Sequence, residues 1–229
     1  MWVFMIELSE RLSAVAELAR GACKLLDVGT DHGYIPVWLA QKGGFDRIAA
    51  SDVNKAPLKR AMLSAAEYGV EDQIEFFLSD GLQSVDTDFD TVVIAGMGGE
   101  TMANILAAAP WVKRAARLVL QPQSKLEELT GWLQDNGFAL WDARLVRDAG
   151  KLYMVFSVYW TGEGLVDLLT LLADTRDPLL PDYLNETREK LTRAIAGMER
   201  GTAVDEDRLA GMCGQLALIC EKTEEVKAW

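Results

Sequence analysis

Between Lys24 and Trp160 the chain alternates short apolar runs with amphipathic stretches, and that alternation leaves few folds open to it. Lys24 to Val28, Arg47 to Ser51, Ile74 to Leu78, Thr91 to Ala95 and Arg117 to Leu120 read as largely continuous apolar segments, the pattern of strands buried on both faces of a parallel sheet. Between them, 35–41, 57–68, 101–109 and 126–136 carry helical spacing, so the pattern predicts five parallel strands joined by crossover helices. Phe138 to Val146 and Leu152 to Trp160 are separated only by Arg147-Asp148-Ala149-Gly150-Lys151, a hairpin-length connection that makes this last pair antiparallel. Ahead of the sheet, Ser9 is placed to cap a helix with Leu12, Val15 and Ala16 on one face, ended by Gly21 and covering one side of the sheet.

After Gly162-Glu163-Gly164 the pattern turns helical. Pro178 and Pro181 break a first helix; Leu184, Leu191, Ile195 and Met198, then Leu209, Met212, Leu216 and Ile219, form the seam of an antiparallel coiled-coil hairpin turning at Gly201-Thr202. The expected domains are therefore 1–161 and 162–229. With half the residues apolar and a quarter charged, collagenous and wholly disordered classes are excluded. The net charge of −12 repels phosphates at long range, so a nucleic-acid partner requires cations gathered locally. Cys23, Cys213 and Cys220 form no CxxC pair, the opening Met1 to Ile6 lacks a basic flank, and no apolar run is long enough to cross a bilayer. A cytoplasmic protein with no membrane partner and no metal is expected, a monomer or weak homodimer.

The first strand ends in Asp27-Val28-Gly29-Thr30-Asp31-His32-Gly33, a glycine turn between a strand and a helix, where open α/β sheets bind ligands. Asp52 ends the second strand, at the spacing that presents a carboxylate to ribose hydroxyls. Asp31 stands where a dinucleotide fingerprint has its middle glycine. At about 4 Å and an effective dielectric near 20, a like charge there costs a pyrophosphate about 4 kcal/mol, whereas a cationic ligand gains. S-adenosylmethionine, an adenosine with a sulfonium, an ammonium and no phosphate, suits Asp52 for ribose and Asp27 and Asp31 for the cationic end. Asp80 and Gly81, at the third strand's exit, offer an acceptor and room for adenine.

The fourth strand exits into Ala95-Gly96-Met97-Gly98-Gly99, without the Asn/Asp-Pro-Pro-aromatic motif of enzymes that methylate an adenine amino group. A ring nitrogen is the more plausible nucleophile: adenine N1 already carries an in-plane lone pair, so transfer needs alignment more than a strong base. Asp31, Asn54 and the Gln121-Pro122-Gln123 turn could grip the Watson–Crick edge, with Tyr34 or Tyr153 stacking. Lone His32 is better suited to fixing the loop than to catalysis.

Together, Leu26 to Pro36, Ser51-Asp52-Val53-Asn54, Ser79-Asp80-Gly81-Leu82, Ile94 to Gly99 and Leu120 to Gln123 resemble the TrmK family, which methylates N1 of adenine at tRNA position 22. The resemblance covers residues 7 to about 160. It implies an α/β fold of class I methyltransferase type, a Rossmann-like sheet with a terminal antiparallel hairpin, followed by the helical appendage. It also implies S-adenosylmethionine contacts from Gly29, Asp31, Asp52, Asp80 and Gly81, with the Gly96 to Gly99 turn bordering the acceptor. The same strand exits add Asp27, Thr30, Gly33, Val53, Ala95 and Gly96 as candidate cofactor contacts; Asp31, Asn54 and Gln121 are the catalytic candidates at the strand ends, and Arg11, Lys55, Lys59, Arg60, Lys125 and Lys151 are the cations expected near the cleft mouth to meet tRNA. The readings left open are methylation of a small molecule or protein, a non-catalytic S-adenosylmethionine-binding module, and a nicotinamide dehydrogenase, which Asp31 and the antiparallel hairpin disfavour.

Overall fold

The computed structural model describes residues 4–115, 117–200 and 205–227. The chain divides into two compact units, Met1–Asp167 and Leu168–Trp229.

The first unit is built on a seven-stranded sheet of β1 (Lys24–Val28), β2 (Arg47–Asp52), β3 (Ile74–Leu78), β4 (Thr91–Gly98), β5 (Arg117–Ser124), β6 (Phe138–Asp148) and β7 (Lys151–Trp160). Its order is β3-β2-β1-β4-β5-β7-β6. Strands β1 to β5 are parallel, and β7 runs antiparallel to both β5 and β6. Leu25, Leu26, Val92, Val93, Ile94, Leu118, Val119 and Leu120 are buried, which is why the central strands read as unbroken apolar runs.

Helices α1 (Glu10–Leu18), α2 (Tyr34–Lys42), α3 (Lys55–Glu67), α4 (Gly99–Ala107), α5 (Val112–Ala115) and α6 (Leu126–Asp135) complete the unit. Ser9 caps α1, its hydroxyl accepting from Leu12 N at 3.5 Å and donating to Asp148 Oδ2 at 2.8 Å, so the cap also ties the helix to the end of β6. Ala14, Val15, Ala16 and Leu18 supply the buried face of α1.

Several boundaries differ from the pattern in the sequence. In the hairpin the strands run on to Asp148 and from Lys151, so the expected five-residue connection is the two-residue turn Ala149-Gly150. Strands β4 and β5 run past their apolar segments because they go on pairing with each other: Ala95 is opposite Gln121, Met97 opposite Pro122 and Gly98 opposite Ser124, with register shifts on either side of Met97. Backbone pairing there outweighs side-chain polarity. Residues 162–167 stay with the sheet instead of opening the second unit, since Leu165 N donates to Phe138 O at 3.1 Å and Leu140 N donates to Leu165 O at 2.8 Å.

The second unit holds α7 (Leu168–Asp174), α8 (Leu180–Glu199) and α9 (Glu206–Val226). Pro181 lies in the first turn of α8, where its missing N–H costs nothing, and Asp205 caps α9 by accepting from Arg208 N at 3.1 Å. Along the seam Leu184 and Ile219 are buried while Leu191, Ile195, Met198, Leu209, Met212 and Leu216 are half-buried. The turn expected at Gly201-Thr202 lies outside the described residues.

Gly33 sets the approach of α2 to α3. It sits at φ +71°, and a Cβ there would lie 2.8 Å from Ala61 Cβ and 3.0 Å from Ala61 Cα. The positive φ costs an L residue about 1–2 kcal/mol and overpacking adds about 1–3. Gly33→Ala is expected to lower stability by at least about 2 kcal/mol, read as a fall in the urea midpoint; an unchanged midpoint would show that α2 can shift freely.

Candidate active site

The strand order reverses between β1 and β4: the chain leaves β1 toward β2 and β3, and after β4 continues on the other side. Loops diverging from two adjacent parallel strands open a crevice at their carboxyl ends. A cleft of about 380 Å³ lies there, lined by Asp27 of β1, Gly29, Thr30 and Asp31 of the turn after it, His32, Tyr34 and Ile35 beyond them, Ala95, Gly96 and Met97 of β4, Gln123 of β5, and Arg11 and Leu12 of α1.

The turn after β1 is pinned to its neighbour, because Gly29 N and Thr30 N donate to Ser51 O at 2.8 and 3.0 Å. Gly29 takes φ +73°, and a Cβ on it would meet the Met97 methyl at 2.0 Å. Its bare Cα therefore lets the β4 exit close over the turn, and the same absence leaves backbone accessible to a ligand. Beneath, Asp27 is buried at 3% exposure. Burial pushes its carboxyl up to about 6, opposed by the polar group of Thr30 and reinforced by the nearby charge of Asp52. A carboxylate held at that cost beside a cleft suits a cation entering it.

Asp52 closes β2, with Oδ1 accepting from Asn54 N at 2.8 Å. Val53 and Asn54 are exposed beyond it and do not line the cleft. Asp80 is exposed on a separate depression with Gln83, Thr101, Asn104 and Ile105. Gly81 takes φ +56° against Ile105, whose nearest carbon would be 2.9 Å from a Cβ.

Several side chains stand differently from the sequence expectation. Gln121 is completely buried; its Oε1 accepts from Arg11 Nη1 at 2.7 Å and its Nε2 donates to Pro122 O at 2.9 Å, so both ends of its amide are committed and it does not line the cleft. Arg11, expected at a cleft mouth, is drawn into the wall by that bond, over the Tyr153 ring at 5.6 Å and 3.9 Å from Asp148. Asp31 lies at the cleft but its carboxylate is paired with Arg60, so both charges, one assigned to repelling phosphate and the other to holding it, neutralise each other. Lys125 pairs with Glu100. Lys55, Lys59 and Lys151 are exposed with no ion pair among the described residues. His32 stacks on Tyr34 with centroids 5.3 Å apart, consistent with a loop-fixing role.

Sequence reasoning placed Gln123 in a base-gripping turn and Arg11 at the cleft mouth, but gave Leu12 and Met97 no part of their own in the cleft wall. The signal for Met97 was its place among three glycines; no local pattern marks an arginine that a distant strand pulls inward. Among the described residues no three His, Cys, Asp or Glu side chains are placed to hold a metal, and no helix is long and apolar enough to cross a membrane.

The methyltransferase domain family matches residues 8–156 of the chain. The tRNA (adenine(22)-N(1))-methyltransferase of Bacillus subtilis is 30% identical over 152 residues, 66% of this chain and 64% of that protein, so the chain spans somewhat less than two thirds of that relative's length. Among solved structures, Streptococcus pneumoniae Sp1610 in complex with S-adenosyl-L-methionine superimposes with a TM-score of 0.76 at 26% identity, covering 97% of this chain and 99% of that one. The B. subtilis m1A22 tRNA methyltransferase TrmK gives 0.80 at 23% identity over 95% and 99%, a likeness of fold.

Asp27 carries a pH signature. Between its unfolded value near 3.9 and about 6, the folded chain holds a proton that the unfolded chain has released, so this residue makes stability fall as pH rises through that window. Relative to Asp27→Asn, the wild type is expected to lose up to about 3 kcal/mol between pH 4 and pH 7. Parallel urea titrations of the two proteins check this; a constant difference would mean that the carboxyl is not strained.

Proposed function

The chain belongs to the methyltransferase domain family, and from that premise we propose that it methylates N1 of an adenine in tRNA, at position 22, using S-adenosylmethionine. The observation that carries the cofactor half of this reading is the buried, charge-strained Asp27 at the floor of the cleft, next to a glycine turn with backbone to offer. The tRNA half is supported by the B. subtilis relative. A pyrophosphate entering the cleft would approach the buried Asp27 carboxylate, and like charges at about 4 Å disfavour it by about 4 kcal/mol.

The cleft lining fits the cationic methionine end of the cofactor at Asp27; Asp52, buried at the end of β2 outside that lining, would hold the ribose hydroxyls from its edge, and Asp80 and Gly81 would take the adenine only if it reaches toward the separate depression there. When bound, S-adenosylmethionine supplies an electrophilic methyl group on a sulfonium. The chain's own work is then to bind, align and dry the site. The Gly96-Met97-Gly98 exit of β4 borders the acceptor, and the Leu12, Ile35 and Met97 side chains keep water out. No strong base is needed to expose the N1 lone pair. With Asp31 and Arg60 paired, Lys125 paired with Glu100 and Arg11 drawn inward, Lys55 and Lys59 on α3, with Lys151, are the expected cations that keep no ion pair among the described residues and can receive phosphates. The enzyme works on cytoplasmic tRNA.

The direct test is incubation with labelled methyl donor and tRNA followed by nucleoside analysis: 1-methyladenosine at position 22 is expected, and a labelled product at the amino group or none at all would refute the reading. Asp52→Ala is expected to weaken S-adenosylmethionine binding at least tenfold by calorimetry, the loss of one charge-assisted hydrogen bond or more. Lys55→Glu with Lys59→Glu should weaken tRNA binding and flatten its log–log salt slope by about 2, measured by filter binding; an unaltered slope would place the tRNA elsewhere.

A further inference from the structure

We propose that Gln123 recognises the Hoogsteen edge of the acceptor adenine, its amide oxygen accepting from N6–H and its amide nitrogen donating to N7, which leaves N1 open for methyl transfer. This rests on the reading of the chain as an adenine-N1 methyltransferase. Three observations lead to it.

Gln123 lines the cleft beside Gly96 and Met97, on the stretch of β5 where Pro122 pairs with Met97 and Ser124 with Gly98. Its side chain is exposed and takes no hydrogen bond among the described residues. The other amide and the carboxylate expected to read a base there are engaged, Gln121 with Arg11 and Pro122 and Asp31 with Arg60, while the Thr30 hydroxyl is buried and His32 and Tyr34 stack on each other, which leaves Gln123 as the exposed carboxamide of the lining. Gln123 is thus an amide without a partner at the acceptor wall.

A carboxamide presents one acceptor and one donor side by side. Adenine offers that pattern in reverse on two edges, N6–H with N1 and N6–H with N7. Pairing on the first would place a donor on the N1 lone pair, which is the nucleophile, so an amide gripping that edge would block the transfer. Pairing on the second is the bidentate match by which glutamine reads adenine in nucleic acids, and it keeps N1 free and in the base plane. It also selects the base: guanine carries O6 and N7, two acceptors, on the same edge, so the amide oxygen would face O6 without a proton between them.

The experiment compares tRNA carrying adenosine or 7-deazaadenosine at position 22, a change that removes N7 while N1 and N6 stay. With wild-type enzyme, kcat/KM is expected to fall roughly ten- to a hundredfold on the deaza substrate. Gln123→Ala should fall by a similar factor on ordinary tRNA, with S-adenosylmethionine affinity by calorimetry unchanged, and should show little further loss on the deaza substrate. Equal rates on the two substrates with wild-type enzyme, or losses that multiply when the variant meets the deaza substrate, would overturn the assignment to N7. If ordinary tRNA yields no 1-methyladenosine at all, it is the underlying reading of the chain that fails.

Discussion

A carboxylate buried at the end of the central strand is the constraint around which the site is arranged. Asp27 belongs to β1, the strand paired on either side by β2 and β4, and it lies under the turn that begins at Gly29. Placing an ionisable group there works against folding, and nothing in the packing of the sheet demands it: an apolar residue would continue the run Leu25-Leu26. The position makes sense for a residue kept for what enters the cleft. Its neighbours follow from the same logic. Two backbone hydrogen bonds to Ser51 hold the turn, a positive φ at Gly29 bends it, and Met97 reaches across from β4 to close the gap that a missing Cβ leaves.

Charge in the cleft is balanced more finely than a count of acidic residues suggests. The pairing of Asp31 with Arg60 removes one negative charge from the mouth, and the Arg11–Gln121 bond brings one positive charge into the wall. Arg11 is anchored from three strands, by Gln121 of β5, Asp148 of β6 and Tyr153 of β7, while Ser9 of the same segment also binds Asp148. Helix α1 is by this means part of the active-site wall as well as a cover on the sheet.

The central strands were legible in the sequence because burial on both faces writes itself as consecutive apolar residues; β1 begins and ends where its run does, and so does the edge strand β3, although only one of its residues is buried. The terminal hairpin was legible from chain length alone, since five residues cannot carry a parallel crossover. What escaped was determined by tertiary pairing. Gln121 and Gln123 are chemically identical and two residues apart on one strand, yet one is sealed beneath Arg11 and the other faces the cleft, a distinction set by how far α1 covers β5. The extension of β4 through Gly96 and Gly98 depends on its partner strand, and glycines in a strand interior point away from that assignment locally. The ion pairs of Asp31 and Lys125 join residues 29 and 25 positions apart, beyond any local pattern.

A cation that comes to rest against Asp27 leaves its mark in proton linkage. Calorimetry of S-adenosylmethionine binding near pH 6, in buffers of different ionisation enthalpy, reports the protons exchanged. A cation beside a carboxyl that titrates at about 6 lowers its pKa, so binding should release a fraction of a proton, and Asp27→Asn should abolish that release. Binding with no proton exchange, or with release that persists in the variant, would contradict the claim.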